Sequence, residues 1–176
     1  MKILFVVPYT PTRIRTRPYN LIRTLARRGH AVTLATLWEN EQERQALREL
    51  EEDGILVISS RLTKTRSIWN SLLALPTKTP LQAVYCWQPG LLREMNSRLA
   101  QGPDVIHVEH LRGARYGLWA KSRIPSIGSP VPVVWDSVDC ISYLFDQAAR
   151  KSGSPLSRAV TRLELGRTRR YEGWLV

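Results

Sequence analysis

The strongest constraint on the fold is a short apolar run near the start of the sequence. Residues 3–7, Ile-Leu-Phe-Val-Val, contain no polar side chain and end at Pro8. A strand covered by helices on both faces is apolar throughout, so this run is typical of a buried parallel sheet. A helical pattern follows from Pro18 to Gly29, and a second apolar run occupies residues 30–36. Strand, helix and strand within about 35 residues predict a βαβ unit.

The same alternation continues along the rest of the sequence. Further strands are predicted at residues 55–58, 104–108 and 131–135, and helices at residues 39–53, 111–121, 141–150 and 156–174. Alternating strands and helices predict an α/β protein with a Rossmann-like, doubly wound parallel sheet. The last predicted helix is long and basic, and in this fold a further strand is expected after it. Residues 1–176 are therefore expected to be the front part of a longer protein.

The charge balance restricts the kind of partner. Lys and Arg total 26 against 15 Asp and Glu, which gives a net charge of +11, and 21 of the basic residues are Arg. Phosphorylated ligands and anionic membrane surfaces are therefore plausible partners. Nucleic acid is not expected, because the basic residues are spread over several segments and match no nucleic-acid-binding motif.

Cysteine content and hydropathy bear on compartment and metal binding. Cys86 and Cys140 lie far apart and fit neither C-x-x-C nor zinc-ligand spacing, so no metal site and no structural disulfide are expected. No apolar stretch reaches the ~20 residues of a membrane span, and residues 1–11 do not match a signal peptide. We therefore expect a cytoplasmic protein that could contact the inner face of a membrane peripherally.

Residues 61–99 depart from the simple alternation. Glu94 is their one acidic residue, against six basic ones, and they carry Trp69, Trp87 and many aliphatic side chains. Two short helices broken near residues 76–80 are predicted. The segment is interpreted either as a crossover connection packed on the sheet or as a basic, Trp-bearing surface for a membrane or lipid acceptor.

The loops that follow three of the predicted strands carry the candidate site. In a doubly wound sheet, ligands bind outside the carboxyl ends of the strands, so residues 8–17, 109–115 and 136–142 should converge at one edge. Their guanidinium, carboxylate and imidazole groups suit a sugar or phosphate site better than a core. The candidates are Arg13, Arg15, Arg17, Glu109, His110, Arg112, Asp136 and Asp139.

Alternating arginines just before a helix start favour anion binding, because guanidinium groups fit phosphate and carboxylate oxygens; a solvated basic loop is the alternative. Asp136 and Asp139 are expected to cap the next helix, although a paired-carboxylate hydrolase is also conceivable. His107 is expected in the core. The sequence lacks G-x-G-x-x-G, P-loop and G-x-S-x-G motifs, so nicotinamide, flavin and P-loop nucleotide sites and an α/β-hydrolase are not expected.

Three segments together resemble a known family. Residues 2–8, the L-x-R-x-L-x-x-x-G-H-x-V run at 21–32 and the D-V-I-H-V-E-H run at 104–110 resemble the N-terminal domain of GT-B glycosyltransferases of family 4. Residues 133–139 and 171–174 are similar to bacterial sugar transferases of the exopolysaccharide type. The resemblance implies two Rossmann-like domains, in which residues 1–176 bind the acceptor. A C-terminal domain outside this sequence would bind a nucleotide-sugar.

The resemblance also implies a reaction. A hexosyl group would pass from a nucleotide-sugar to a glycan or lipid-linked acceptor, with retained configuration and without a metal or cofactor, and this chain alone would be inactive. The family often has H-x-H at the end of the fourth strand, whereas here Glu109 takes the second position and His110 follows. Glu109 and His110 are therefore predicted as the catalytic candidates that orient the acceptor. Arginines replace the glycines that family members often carry in the first loop.

Two other functions remain open at this point. The chain could be a non-enzymatic basic module that binds an anionic membrane surface or, less in keeping with its motifs, nucleic acid. It could also belong to a nucleotide-sugar epimerase of the same fold.

Overall fold

The computed structural model describes residues 1–124, 130–151 and 153–176. The strands are β1 (Lys2–Val7), β2 (Ala31–Trp38), β3 (Leu56–Arg61), β4 (Val105–Glu109) and β5 (Val133–Asp136). The helices are α1 (Thr16–Arg27), α2 (Glu41–Glu52), α3 (Lys64–Ala74), α4 (Leu81–Val84), α5 (Pro89–Leu99), α6 (His110–Arg123), α7 (Ile141–Lys151) and α8 (Pro155–Leu175).

The strands form one parallel sheet in the order β3-β2-β1-β4-β5. Helices cover it, so the predicted α/β, Rossmann-like fold is confirmed. The chain runs outward from β1 in one direction and from β4 in the other. Loops after β1 and β4 therefore diverge and leave a crevice at the carboxyl ends of these two strands.

The apolar run of β1 lies at the centre of two cores. Ile3, Phe5 and Val7 belong to the core that also holds side chains of α1 and α2. Leu4 and Val6 belong to the other core, together with side chains of α5 and α6. Successive side chains of a strand point to opposite faces, so a strand between two helical layers needs an apolar residue at every position.

Glycines bring α6 close to β4. A Cβ atom on Gly113 would lie 3.0 Å from the Val108 side chain, and one on Gly117 would lie 2.9 Å from it. Contacts this short are sterically unfavourable, so the absence of a side chain lets α6 rest directly on the strand. This packing fixes the junction between β4 and α6, where Glu109 and His110 lie.

The region between β3 and β4 contains three helices among its described residues, so the prediction of two is wrong. The missed helix is α5, which begins at Pro89 and buries Leu91, Met95 and Leu99. Proline is well suited to the first turn of a helix, but Pro89-Gly90 in the sequence has the composition of a break.

The start of α7 is stabilised by a distant residue. The amide of Ile141 donates a hydrogen bond of 3.0 Å to Glu172 of α8. The expectation that Asp136 and Asp139 cap this helix is therefore not met by the contacts of the described residues. Asp136 instead accepts a hydrogen bond from the Val138 amide at 3.1 Å, within the loop itself. None of the described helices is long and apolar enough to cross a membrane.

Candidate functional site

A cleft of about 330 Å³ opens at the carboxyl ends of β1, β4 and β5. Its lining residues are Tyr9, Arg15, Thr16, Arg17, Pro18, Glu109, His110, Arg112, Val138 and Asp139. Hollows of about 510 and 520 Å³ lie elsewhere on the described surface, so size does not single this cleft out. Its place at the reversal of strand order and its charged lining make it the candidate site.

The structure brings together most of the residues predicted from the three loops. Arg15, Arg17, Glu109, His110, Arg112 and Asp139 line the cleft. Asp136 lies next to them, paired with Arg17. Arg13 is exposed on the same loop but does not line the cleft. The predicted convergence of the loops is thus observed, while the roles of these residues stay predictions.

Tyr9 is a lining residue that sequence reasoning missed. The Arg15 guanidinium lies 4.9 Å from the centre of its ring, and the ring meets His110 edge-on at 6.3 Å. Burial, together with the nearby Glu109 carboxyl, raises the pKa of Tyr9 to about 12, so its hydroxyl stays protonated. Tyr9 belongs to no motif, so the one signal in the sequence was its position two residues after the first strand. Thr16, Pro18 and Val138 also belong to no motif and were missed for that reason.

Glu109 ends β4 and carries the most unusual carboxyl of the cleft. Its register partner across the sheet is Asp136 on β5. The residue is only 2% exposed, and its Oε2 has no hydrogen-bond partner among the described residues. Burial raises the pKa of Glu109 to about 7; Arg17 opposes this rise and Asp136 adds to it. Such a carboxyl can accept a hydrogen bond, or a proton, from a ligand hydroxyl near neutral pH.

His110 begins α6 with its backbone in a strained conformation. Its φ is +65°, a region uncommon for residues other than glycine, and Val138, also in the cleft lining, has a φ of +61°, which is rarer still for a side chain branched at Cβ. Strained residues of this kind often cluster at functional sites. Both of these residues line the cleft, which supports a functional rather than a purely structural role for it.

The imidazole of His110 is set up as a hydrogen-bond donor. Its Nδ1 accepts the Arg112 backbone amide at 3.2 Å, which leaves the ring proton on Nε2. Burial and, to a smaller extent, the Arg112 charge lower the pKa of His110 to about 4. The ring is therefore neutral at pH 7 and can donate from Nε2. Glu109 and His110 thus differ in chemistry: the carboxyl accepts and the imidazole donates.

Asp136 organises the side of the cleft next to β5. Its Oδ2 lies 2.6 Å from Nη2 of Arg17 and 3.6 Å from Nε2 of His107. His107 stacks on Phe5 with 4.2 Å between ring centres, and burial lowers its pKa. The imidazole packs on Phe5 but is only partly buried, and its Nε2 has no hydrogen-bond partner among the described residues, so the prediction that His107 lies in the core is met only in part. The short contact to Arg17 holds that guanidinium at the mouth of the cleft.

Several groups in the cleft lining are suited to an anion. Thr16, Arg17 and Pro18 form the first turn of α1, which contains no acidic residue and no side-chain cap. A helix N-terminus carries partial positive charge, and Arg15, Arg17 and Arg112 add guanidinium groups around it. The Arg112 side chain is steadied by a 2.8 Å hydrogen bond to Gln82. A phosphate group would find both charge and directed N–H donors here.

Metal ligands are not grouped in the described parts of the chain. Residues 1–124, 130–151 and 153–176 contain no cluster of three or more His, Cys, Asp or Glu side chains that could hold a metal ion. The positive charge beside the cleft comes instead from arginines, which do not ligate metals.

One comparison with known proteins gives a match. A family model described as a glycosyl transferase 4-like domain matches residues 14–173. The match spans most of the chain and includes every lining residue of the cleft except Tyr9. No curated protein and no solved structure matches the chain.

Proposed function

The chain belongs to the glycosyl transferase 4-like family, and from this premise we propose that it is the acceptor-binding domain of a retaining glycosyltransferase. The donor is a nucleotide-sugar, and the acceptor is a glycan or lipid-linked sugar in polysaccharide biosynthesis. In this proposal a second domain, outside residues 1–176, binds the nucleotide, as in the GT-B architecture. The observation that carries the proposal is the buried Glu109 carboxyl, whose Oε2 lacks a partner among the described residues.

The arginine side of the cleft supports a phosphate contact. Arg15, Arg17 and the N-terminus of α1 contribute positive charge to the cleft lining, and the arginines take the place of the glycines that family members often have in this loop. The group bound here is the diphosphate of the donor or a phosphate of the acceptor. Preorganised guanidinium groups stabilise negative charge that develops on a leaving diphosphate. Arginines that bind the donor diphosphate would supply this stabilisation themselves, which supports a reaction without a metal or cofactor.

The carboxyl side supports acceptor orientation. Glu109 accepts a hydrogen bond from the acceptor hydroxyl, while Nε2–H of His110 donates to a second oxygen of the sugar. The acceptor oxygen bonds to the anomeric carbon as the bond from that carbon to the phosphate oxygen breaks. The acceptor proton passes to the departing diphosphate oxygen, so the products are the glycoside and a nucleoside diphosphate. Holding these groups in place supplies much of the rate enhancement.

The test uses the full-length gene product with a panel of nucleotide-sugars and a membrane extract as the source of acceptors. Sugar transfer is expected together with release of nucleoside diphosphate. Glu109→Gln should lower kcat/KM by roughly 10- to 100-fold, the loss expected when a hydrogen bond to a charged group is weakened. Arg17→Gln should weaken the phosphate contact, and Arg27→Gln, exposed at the far end of the same helix, is the matched control.

Three results would contradict the proposal. The first is sugar transfer by residues 1–176 alone. The second is an unchanged rate in Glu109→Gln when the control is also unchanged. The third is isomerisation of the nucleotide-sugar without release of diphosphate, which would identify an epimerase.

We also propose that the protein works in the cytoplasm, peripherally at the inner face of the membrane. A lipid-linked acceptor would lie at that surface, and the net charge of +11 favours contact with anionic lipids.

A further inference from the structure

Helix α3 has its apolar and polar faces reversed. Its buried residues are the small or polar Ser67, Asn70 and Ala74. Its large apolar side chains point to solvent, with exposed fractions from 49% for Leu72 to 71% for Leu73. The full set of exposed apolar residues on this helix and at its end is Ile68, Trp69, Leu72, Leu73 and Leu75. A surface helix normally buries its apolar face, so the exposed apolar face of α3 is typical of an interaction surface.

Hydrogen bonds fix this orientation. The Asn70 side-chain amide donates to the carbonyls of Tyr85, at 3.2 Å, and Trp87, at 2.8 Å. Turning the apolar face inward would remove Asn70 and leave these carbonyls without their donor, at a cost typical of unpaired polar groups. The outward apolar face is therefore a defined surface. It includes a shallow groove of about 270 Å³ lined mainly by Ile68, Leu72, Leu75 and Tyr85, with two serines.

The charge around α3 indicates what covers it. Lys64 at its start and Lys78 just after its end are both exposed. Residues 61–93 contain no acidic side chain. Tryptophan is enriched where proteins meet the lipid headgroups, and lysines beside an anionic leaflet add favourable energy. A second copy of this chain would bring like charges together, so the charge favours a bilayer over self-association.

The position of α3 links this surface to the cleft. Its N-cap is Thr63, which follows β3 at the carboxyl edge of the sheet, the edge where the cleft opens. We propose that the outer face of α3, centred on Trp69, Leu72 and Leu73, docks on an anionic phospholipid bilayer. This proposal rests on the proposed function to the extent that a lipid-linked acceptor would then lie near the cleft.

The test is sedimentation of the full chain with vesicles, without any sugar present. Vesicles of equal parts phosphatidylglycerol and phosphatidylcholine should bind the protein, and binding should weaken with added salt; phosphatidylcholine alone should bind it far less. Leu73→Glu should lower the affinity for the mixed vesicles roughly tenfold or more. Leu156→Glu on α8 is the matched control, because Leu156 is 75% exposed, and it should change the affinity less than about twofold.

Charge variants test the second half of the argument. Lys64→Glu with Lys78→Glu should weaken binding to the mixed vesicles, whereas Lys121→Glu, exposed near the end of α6, should not. Circular dichroism checks that each variant folds, which is expected because the changed side chains are exposed.

The proposal is overturned by equal binding to both vesicle types, or by equal losses in Leu73→Glu and Leu156→Glu. It is also overturned if Leu73→Glu leaves vesicle binding unchanged but converts a dimer to a monomer in light scattering, since α3 would then join two copies. Vesicle binding does not depend on sugar transfer, so either proposal can fail while the other stands.

Discussion

Removing the charge of Glu109 should make the protein more stable at alkaline pH. The unfolded chain releases the Glu109 proton near the ordinary pKa of 4.5, whereas burial raises the pKa in the folded protein to about 7. Between these values the folded state holds a proton that the unfolded state has lost, so the free energy of unfolding falls as pH rises. A shift of about 2.5 units at 1.36 kcal/mol per unit amounts to roughly 3 kcal/mol. The glutamine of Glu109→Gln does not titrate, so the free energy of unfolding of this variant lacks that decrease.

Urea unfolding followed by tryptophan fluorescence measures the effect. The free energies of the native protein and Glu109→Gln are compared at intervals from pH 4 to pH 8. The free energy of unfolding of the variant, relative to that of the native protein, should rise by about 3 kcal/mol from pH 4 to pH 8. The difference should level off above pH 7. Other titrating groups are common to both proteins and cancel to first order.

A constant difference across the window would refute the reasoning. It would mean that the Glu109 carboxyl has nearly the same pKa in the folded and unfolded chains, and so is not desolvated in the cleft. A carboxyl carbon resonance of Glu109 that titrates near pH 4.5 in the folded protein would lead to the same conclusion. The expected result would show that the carboxyl proposed for acceptor orientation lowers stability, as active-site groups often do.

Three further predictions follow from named contacts. His110→Asn keeps a residue that tolerates positive φ but removes the imidazole that burial holds at a pKa of about 4. Between pH 6.5 and pH 4 the free energy of unfolding of the native protein should therefore fall by roughly 3 kcal/mol relative to the variant. Urea unfolding that gives the same pH dependence for both proteins would contradict this. Gly117→Ala should cost about 1–3 kcal/mol, because the new Cβ would meet Val108 at 2.9 Å, and an unchanged melting temperature would show that α6 can move away. Tyr116→Phe should cost about 1–3 kcal/mol by urea unfolding, because the buried hydroxyl donates to the Cys86 carbonyl at 2.6 Å; no loss would mean that this carbonyl finds another donor.

The sheet was predictable because its signals are local. Each parallel strand needs a short apolar run, and each run can be read without knowing its neighbours. The same reasoning failed at α5, where Pro89 and Gly90 have the composition of a break but begin a helix that buries Met95. Helix formation there depends on packing into a core that residues distant in sequence complete.

The convergence of the site loops was also predictable, since the carboxyl ends of parallel strands share one edge of the sheet. Which arginines of the first loop face the cleft was not predictable. That loop is tied to the end of β2, where Thr10 donates to the Leu37 carbonyl at 2.9 Å and Thr36 donates to the Tyr9 carbonyl at 2.8 Å. These contacts cross 27 residues of sequence. The Arg15 side chain in turn donates to the Thr10 carbonyl at 3.2 Å and lines the cleft, whereas Arg13 does not line it.

The orientation of α3 shows the same limit. Its sequence left open whether the aliphatic residues and Trp69 pack on the sheet or face outward. The answer depends on Asn70, whose amide is held by two carbonyls on the segment that follows α4. A helical pattern shows which residues share a face, but only the neighbouring chain decides which face turns inward.

The amino-acid sequence alone determined the alternation of strands and helices apart from α5, the parallel sheet and the group of loops that carries the chemistry. These follow from apolar periodicity and from the geometry of a strand, which act over a few residues. The tertiary structure decided the rest: the raised pKa of Glu109, the donor role of His110 and the hold of Asp136 on Arg17 across 119 residues of sequence. Burial and charge contacts are properties of the packed chain, because desolvation depends on every atom that surrounds a group and on no single segment.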